Sequence, residues 1–216
     1  MSSSRCEEIR NSLPAGVKLL AVSKGQPITS IRELALLGQN DFGESRLQEA
    51  LPKLDALKEF DQIRWHFIGR LQSNKVRMVV RNFHVIHSID SFVLAERLSR
   101  ISREENKFPK IMLQVKFRDD PKKGGFFPDQ LMNDWHKIKV LKNIDLVGLM
   151  TIAPLNLDLI ERKALFSDCR SFADSLGLPD CSMGMSSDWK EAVKAGSTWL
   201  RVGSELFGPR PNLHQC

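Results

Sequence analysis

Short apolar runs alternate along this chain with longer segments of helical period. The first run, VKLLAVS at 17–23, is aliphatic and β-branched and ends in Lys24, Gly25, Gln26 and Pro27, a turn signal. DFGES (41–45), RWHFIGR (64–70), HVIHSID (84–90), KIMLQVKF (110–117), IDLVGLMTI (144–152) and CSMGMS (181–186) repeat the theme, and TWLRVGSELFG (198–208) is a last strand-like run. The segments between them have helical spacing, as in ITSIRELALLG, where Ile31, Leu34, Ala35 and Gly38 share a face. LQEALPKLDALKEF, NKVRMVVRNF, SFVLAERLSRISREENK, LMNDWHKIKVLK, LDLIERKALFSDCRSFADSLG and SDWKEAVKAG read the same way, and Ser91 is placed to cap the third of these. RDDPKKGGFFPDQ (118–130) reads as a long loop.

This pattern predicts eight strands, each but the last followed by a helix, with no internal linker. Strict alternation implies parallel strands joined by right-handed crossovers. Two closures satisfy it, an open doubly wound sheet or a (β/α)8 barrel. Eight repeats within 216 residues favour the barrel, and no Gly-x-Gly-x-x-Gly follows the first strand to argue for a dinucleotide fold. The expected fold is α/β, a single-domain TIM-type barrel over residues 1–216. An N-terminal helix is expected at about 3–13 and a flexible C-terminal tail at about 209–216.

Composition narrows this picture. No apolar run has the length to cross a bilayer, and Arg and Glu interrupt the start of the chain where a signal peptide needs apolar residues. A cytoplasmic protein with no membrane partner is the expectation. The four cysteines, Cys6, Cys169, Cys181 and Cys216, form no CxxC pair and predict neither a metal site nor a disulfide framework; Cys6 and Cys216, near the termini, are expected at the surface. The net charge of +6 is spread over loose basic groups: Arg70, Lys75, Arg77 and Arg81, then Lys122 and Lys123, then Lys137, Lys139 and Lys142. Acidic residues are interleaved with them, few aromatics accompany them, and nucleic acid is not expected as a partner.

In a barrel, ligands bind at the C-terminal ends of the strands. The residues there are Ser23 and Lys24, Gly43 to Ser45, His66 to Arg70, His87 and Ser88, Met150 and Thr151, Met185 and Ser186, and Arg201, Gly203 and Ser204. Lys24 is the sharpest candidate. An amine at the tip of an apolar strand is partly desolvated, which frees its lone pair to attack an aldehyde. The competing reading is a lysine that snorkels to water. Ser186, Ser187 and Asp188 open a helix after the seventh strand, and Gly203 and Ser204 lie in the next loop, the two places where barrels commonly hold phosphate. Singly, each serine is as well explained as a helix cap. Together with Lys24 on the same face, they point to a phosphate-bearing aldehyde, a description that pyridoxal phosphate meets.

AVSKGQP, FGES-x-x-QE, WHFIGRLQSNK, HSID, MTI, SMGMSSD-x-x-x-A-x-x-x-GST and RVGS-x-x-FG occur here in the order typical of the pyridoxal phosphate homeostasis family. The chain resembles that family from about Val17 to Gly208, and the family in turn resembles the barrel domain of alanine racemase. The resemblance implies a vitamin B6 protein with pyridoxal 5'-phosphate as cofactor, joined to Lys24 as a Schiff base. It also implies Arg201 facing the pyridine nitrogen, and phosphate contacts from Ser186, Gly203 and Ser204. Ser45, His66 and Met150 complete the expected cofactor-binding set. Ser45 stands where the family has Asn, and VKFRDDPKKGG departs from the family pattern after the fifth strand.

A racemase needs a second acid or base opposite its lysine, and this chain has no tyrosine. A guanidinium beside the pyridine nitrogen disfavours its protonation and weakens the ring as an electron sink. The expected function is therefore intracellular pyridoxal phosphate homeostasis without catalytic turnover, by a monomer that delivers cofactor to apo-enzymes or contacts a regulatory protein. The alternatives are a low-activity amino acid racemase or lyase, and a regulatory module acting through its basic groups.

Overall fold

The computed structural model describes residues 2–208. Eight parallel strands pair in sequence order and β1 closes the barrel on β8. The strands are β1 (Lys18–Val22), β2 (Asp41–Glu44), β3 (Arg64–Phe67), β4 (Val85–Ile89), β5 (Lys110–Gln114), β6 (Asp145–Met150), β7 (Asp180–Met185) and β8 (Trp199–Val202). The helices are α1 (Ser2–Ser12), α2 (Ile28–Leu36), α3 (Leu47–Ala56), α4 (Val76–Asn82), α5 (Phe92–Glu104), α6 (Pro128–Ile138), α7 (Leu159–Ser175), α8 (Trp189–Lys194) and α9 (Ser204–Phe207). The expected barrel is the observed one. Among the described residues no helix is long and apolar enough to cross a membrane.

The period of two along each strand explains the layering. Outward-facing residues such as Leu19, Ala21, Phe42, Ile111, Met183 and Leu200 join Ile31, Leu34, Val79, Leu98 and Phe166 of the helices in one large core. Inward-facing Leu20, Met112, Met150 and Trp199 form a separate small cluster inside the barrel, with Ile68, Val147 and Ile152 against it. Polar side chains share this interior: His66, His87, Ser182 and Arg201 are all buried.

Local chemistry sets the element ends. Ser91 caps α5 by accepting from the Leu94 N–H at 3.3 Å, as its position predicted. Asp158 and Glu161 close a reciprocal capping box on α7. Helix α6 begins three residues earlier than its apolar period suggested: Pro128 occupies its first position and the Gln130 side chain accepts from the Phe127 N–H at 3.1 Å. A further difference is α9, a single turn after β8 where a strand-like run was expected. Cys6, expected at the surface, is buried at 1 % exposure on the core-facing side of α1. Cys216 and the expected C-terminal tail lie outside the described residues.

Four of the nine residues in the basic groups are ion-paired. Arg77 and Arg81 meet Glu104 and Glu105, Lys123 meets Asp120, and Lys137 meets Asp134. Interleaved carboxylates thus neutralise part of the basic surface in place.

Candidate functional site

At the C-terminal mouth of the barrel lies a cavity of about 390 Å³, within the range of small-molecule sites. Lys24, Ser45, Ser186, Arg201, Gly203 and Ser204 all line it. Six of the eight expected site residues therefore meet in one place. His66 and Met150 do not: both are fully buried in the barrel interior, one level below the cavity. A strand-end position does not say which rung of the pleat a side chain occupies, and both lie a rung too deep. Apolar walls come from Val22, Ile68, Ile152 and Met185. The quoted motifs contained all four, but no polar chemistry singled them out.

Lys24 follows β1 by two residues and is half-buried. Its flanks are tied down by a cluster that sequence inspection missed. Glu44, with no exposed surface, accepts from the Ser23 hydroxyl at 2.8 Å and from the Lys53 ammonium at 2.7 Å. Lys53 also donates to the Ser23 carbonyl at 2.8 Å and to Glu49 at 2.7 Å, and Glu49 in turn accepts from the Gly25 N–H. Both chain neighbours of Lys24 are thus fixed by one buried Glu–Lys–Glu clamp. Burial pushes the Glu44 carboxyl above its ordinary value against the opposing pull of Lys53. Burial opposes the charge of Glu49 as well, but Lys53 and the Gly25 N–H outweigh it and hold that carboxyl below its ordinary value. The sequence signals were the FGES-x-x-QE motif, which holds Glu44 and Glu49, and the position of Lys53 one helical turn after Glu49.

The opposite wall is shaped by a bulge in β7. Four residues of β7, Ser182 to Met185, run against three of β8, Trp199 to Arg201. The extra residue lets both Ser182 and Met185 face inward. Gly184 carries it at φ +93°, and a Cβ there would come within 2.6 Å of the Ala192 Cβ. Asp188 locks the turn that follows: its carboxylate accepts from the Met185 N–H at 2.6 Å, and its own N–H donates to the Met185 carbonyl at 3.0 Å. The turn brings the Ser186 hydroxyl to 3.3 Å from that of Ser204. Gly203, between Ser204 and β8, offers backbone with no side chain in the way.

Arg201 forms the floor at 5 % exposure. It donates to the Ser182 carbonyl at 2.6 Å, the Ser182 hydroxyl at 2.8 Å and the Thr151 carbonyl at 2.8 Å. Among the described residues no carboxylate lies within ion-pair distance of it. Burial pulls its pKa down to about 10, with Asp188 and Cys169 acting in the opposite direction. The guanidinium is a buried donor held by neutral acceptors. With the amine, the two hydroxyls and the open glycine backbone, it makes a donor set suited to a small anionic molecule carrying an electrophile.

Barrel and site together define the class. The alanine racemase N-terminal domain family matches residues 3–211. A Clostridium difficile alanine racemase superposes with a TM-score of 0.78 over 98 % of this chain and 56 % of its own, at 15 % identity, which is a likeness of fold. More specifically, the chain belongs to the pyridoxal phosphate homeostasis protein family. A Synechocystis member is 46 % identical over 209 residues, covering 94 % of this chain and 96 % of its own. PipY of Synechococcus elongatus, solved without pyridoxal phosphate, superposes with a TM-score of 0.95 at 46 % identity. Its structure with pyridoxal phosphate bound superposes at 0.93 and 45 % identity; in each case 96 % of this chain and 100 % of the other are covered.

Proposed function

We propose that this protein binds pyridoxal 5'-phosphate at the C-terminal mouth of its barrel, holds it as a Schiff base on Lys24, and serves the cellular supply of the vitamer without catalytic turnover. The observation that carries this reading is the convergence of Lys24, Arg201, Ser186, Gly203 and Ser204 on one cavity. The pyridoxal phosphate-bound state of PipY, a close relative, supports the choice of ligand.

The residues fit the group. Ser186 and Ser204 present a hydroxyl pair 3.3 Å apart beside the bare backbone of Gly203, a cradle for phosphate oxygens. When bound, pyridoxal phosphate supplies an electrophilic aldehyde and an electron-withdrawing ring. Lys24 supplies the amine, and the clamp around Ser23 and Gly25 fixes the point from which it reaches. Arg201 presents a cation that accepts no proton, so a ring nitrogen facing it stays unprotonated and the ring stays a weak electron sink. Ser45, where the family has Asn, lines the wall with a shorter side chain.

The interior histidines support the absence of turnover. His66 and His87, the imidazoles carried by the barrel strands and the groups that could otherwise serve as a second base, bond each other at 2.9 Å inside the barrel. The open mouth suits exchange of the cofactor with an incoming primary amine, as transfer to an apo-enzyme would require. The test is borohydride reduction of protein mixed with pyridoxal phosphate, followed by peptide mass spectrometry. A single adduct on Lys24, absent from Lys24→Ala, is expected. An adduct elsewhere with Lys24 unmodified would overturn the reading, and D-isomers formed from L-amino acids would overturn the absence of turnover.

A further inference from the structure

A continuous line of buried hydrogen bonds crosses the barrel beneath the cavity. At the N-terminal mouth, Asp41 accepts from Arg64 at 2.8 and 2.6 Å, and its Oδ1 lies 2.9 Å from His66 Nε2. His66 Nδ1 lies 2.9 Å from His87 Nε2, and His87 Nδ1 lies 2.9 Å from Ser182 Oγ. Ser182 Oγ accepts from Arg201 at 2.8 Å. The line passes from β2 through β3 and β4, spans the interior to β7, and ends on β8 under the cofactor cavity. His66, His87 and Ser182 are fully buried, and Trp199 packs its ring on His66 with centroids 4.9 Å apart.

The ends of the line decide the sense of every bond in it. A guanidinium donates only, and an ionised carboxylate accepts only. Burial pushes the Asp41 carboxyl up, but the hydrogen bonds from His66 and Arg64 outweigh it and keep the group below its ordinary value, hence ionised. Burial keeps both histidines below their ordinary value, so each neutral ring has one donor and one acceptor. His66 must then donate from Nε2 to Asp41 and accept at Nδ1. His87 must donate from Nε2 to His66 and accept at Nδ1, and the Ser182 hydroxyl must donate to His87 while accepting from Arg201. All hydrogens point from the cation to the anion.

We propose that Asp41, through His66, His87 and Ser182, sets the orientation of the Arg201 guanidinium, making Ser182 and His87 positioning residues for the contact with the cofactor ring. The line takes up one of the five N–H donors of Arg201 at the Ser182 hydroxyl, the Ser182 and Thr151 carbonyls take up two more, and together they fix which edge faces the cavity. The last part of this inference rests on the cofactor reading above.

Two measurements test it. In cofactor-free, ¹⁵N-histidine-labelled protein, NMR should find His66 and His87 both protonated on Nε2 and bare on Nδ1; a proton on either Nδ1 overturns the proposal. In cofactor-loaded protein, Ser182→Ala should lose pyridoxal phosphate about ten-fold faster than wild type and shift its visible absorption maximum. His87→Leu should behave likewise, and His87→Gln, which keeps one donor and one acceptor, should recover most of the loss. Retention and spectrum unchanged in Ser182→Ala overturn the proposal. A wild type that takes up no cofactor, with both tautomers as stated, supports the polarised line and overturns the cofactor reading instead.

Discussion

At the scale of the single residue, Lys53 is the least expected participant. On a surface helix a lysine reads as a solvated charge, yet its side chain is only 7 % exposed and it joins two carboxylates and the Ser23 carbonyl. Removing the ammonium would strand Glu44, whose second oxygen Oε2 already has no partner among the described residues. Breaking a buried pair from one side is costly, so Lys53→Met is expected to destabilise the fold by about 3 kcal/mol in urea titration. The same substitution should loosen Ser23 and Gly25 and slow the reaction of Lys24 with pyridoxal phosphate in stopped-flow absorbance. Lys24 itself was legible in the sequence because a cation ends an apolar strand. The clamp was not, since a list of residues does not say that a helix side chain turns under a strand end.

At the scale of the element, the β7 bulge decides where Ser186 points. Gly184→Ala forces a side chain into a φ of +93° and against Ala192, and is expected to cost about 2 kcal/mol or more in thermal unfolding. It should also weaken pyridoxal phosphate binding, read by titration of the visible absorbance, because the turn bearing Ser186 moves with it. The alternation of strands and helices was open to sequence inspection since its two periods differ. The register shifts in β4, β6 and β7 were not, as one inserted residue leaves the apolar pattern nearly intact. A separate limit, that a strand-end position does not give the rung of the pleat, put His66 and Met150 among the expected cofactor contacts. The single turn α9 is too short to show a helical period at all.

At the scale of the whole molecule, two imidazoles held neutral within the barrel tie stability to pH. Their folded-state pKa values lie below the ordinary 6.5, so the unfolded chain binds more protons than the folded one as pH falls below that value. Stability is fully present above it and declines on acidification, by up to about 1.4 kcal/mol per pH unit for each histidine. Asp41, with its lowered pKa, adds a loss near and below its ordinary value of 3.8. Denaturation midpoints should therefore drop between pH 6.5 and about 5, His84 with its pKa lowered by burial adding in the same sense, and His87→Gln should flatten that slope by about a third.

The absence of tyrosine, together with Trp199 below the cavity floor and Trp189 beside Glu205, has an optical consequence. Near-ultraviolet emission from this protein comes almost wholly from its four indoles, since phenylalanine emits only weakly, and two of them flank the place where a yellow chromophore would reside. The scaffold carries its own donor fluorophores, so the dimming of native light registers occupancy with no label attached.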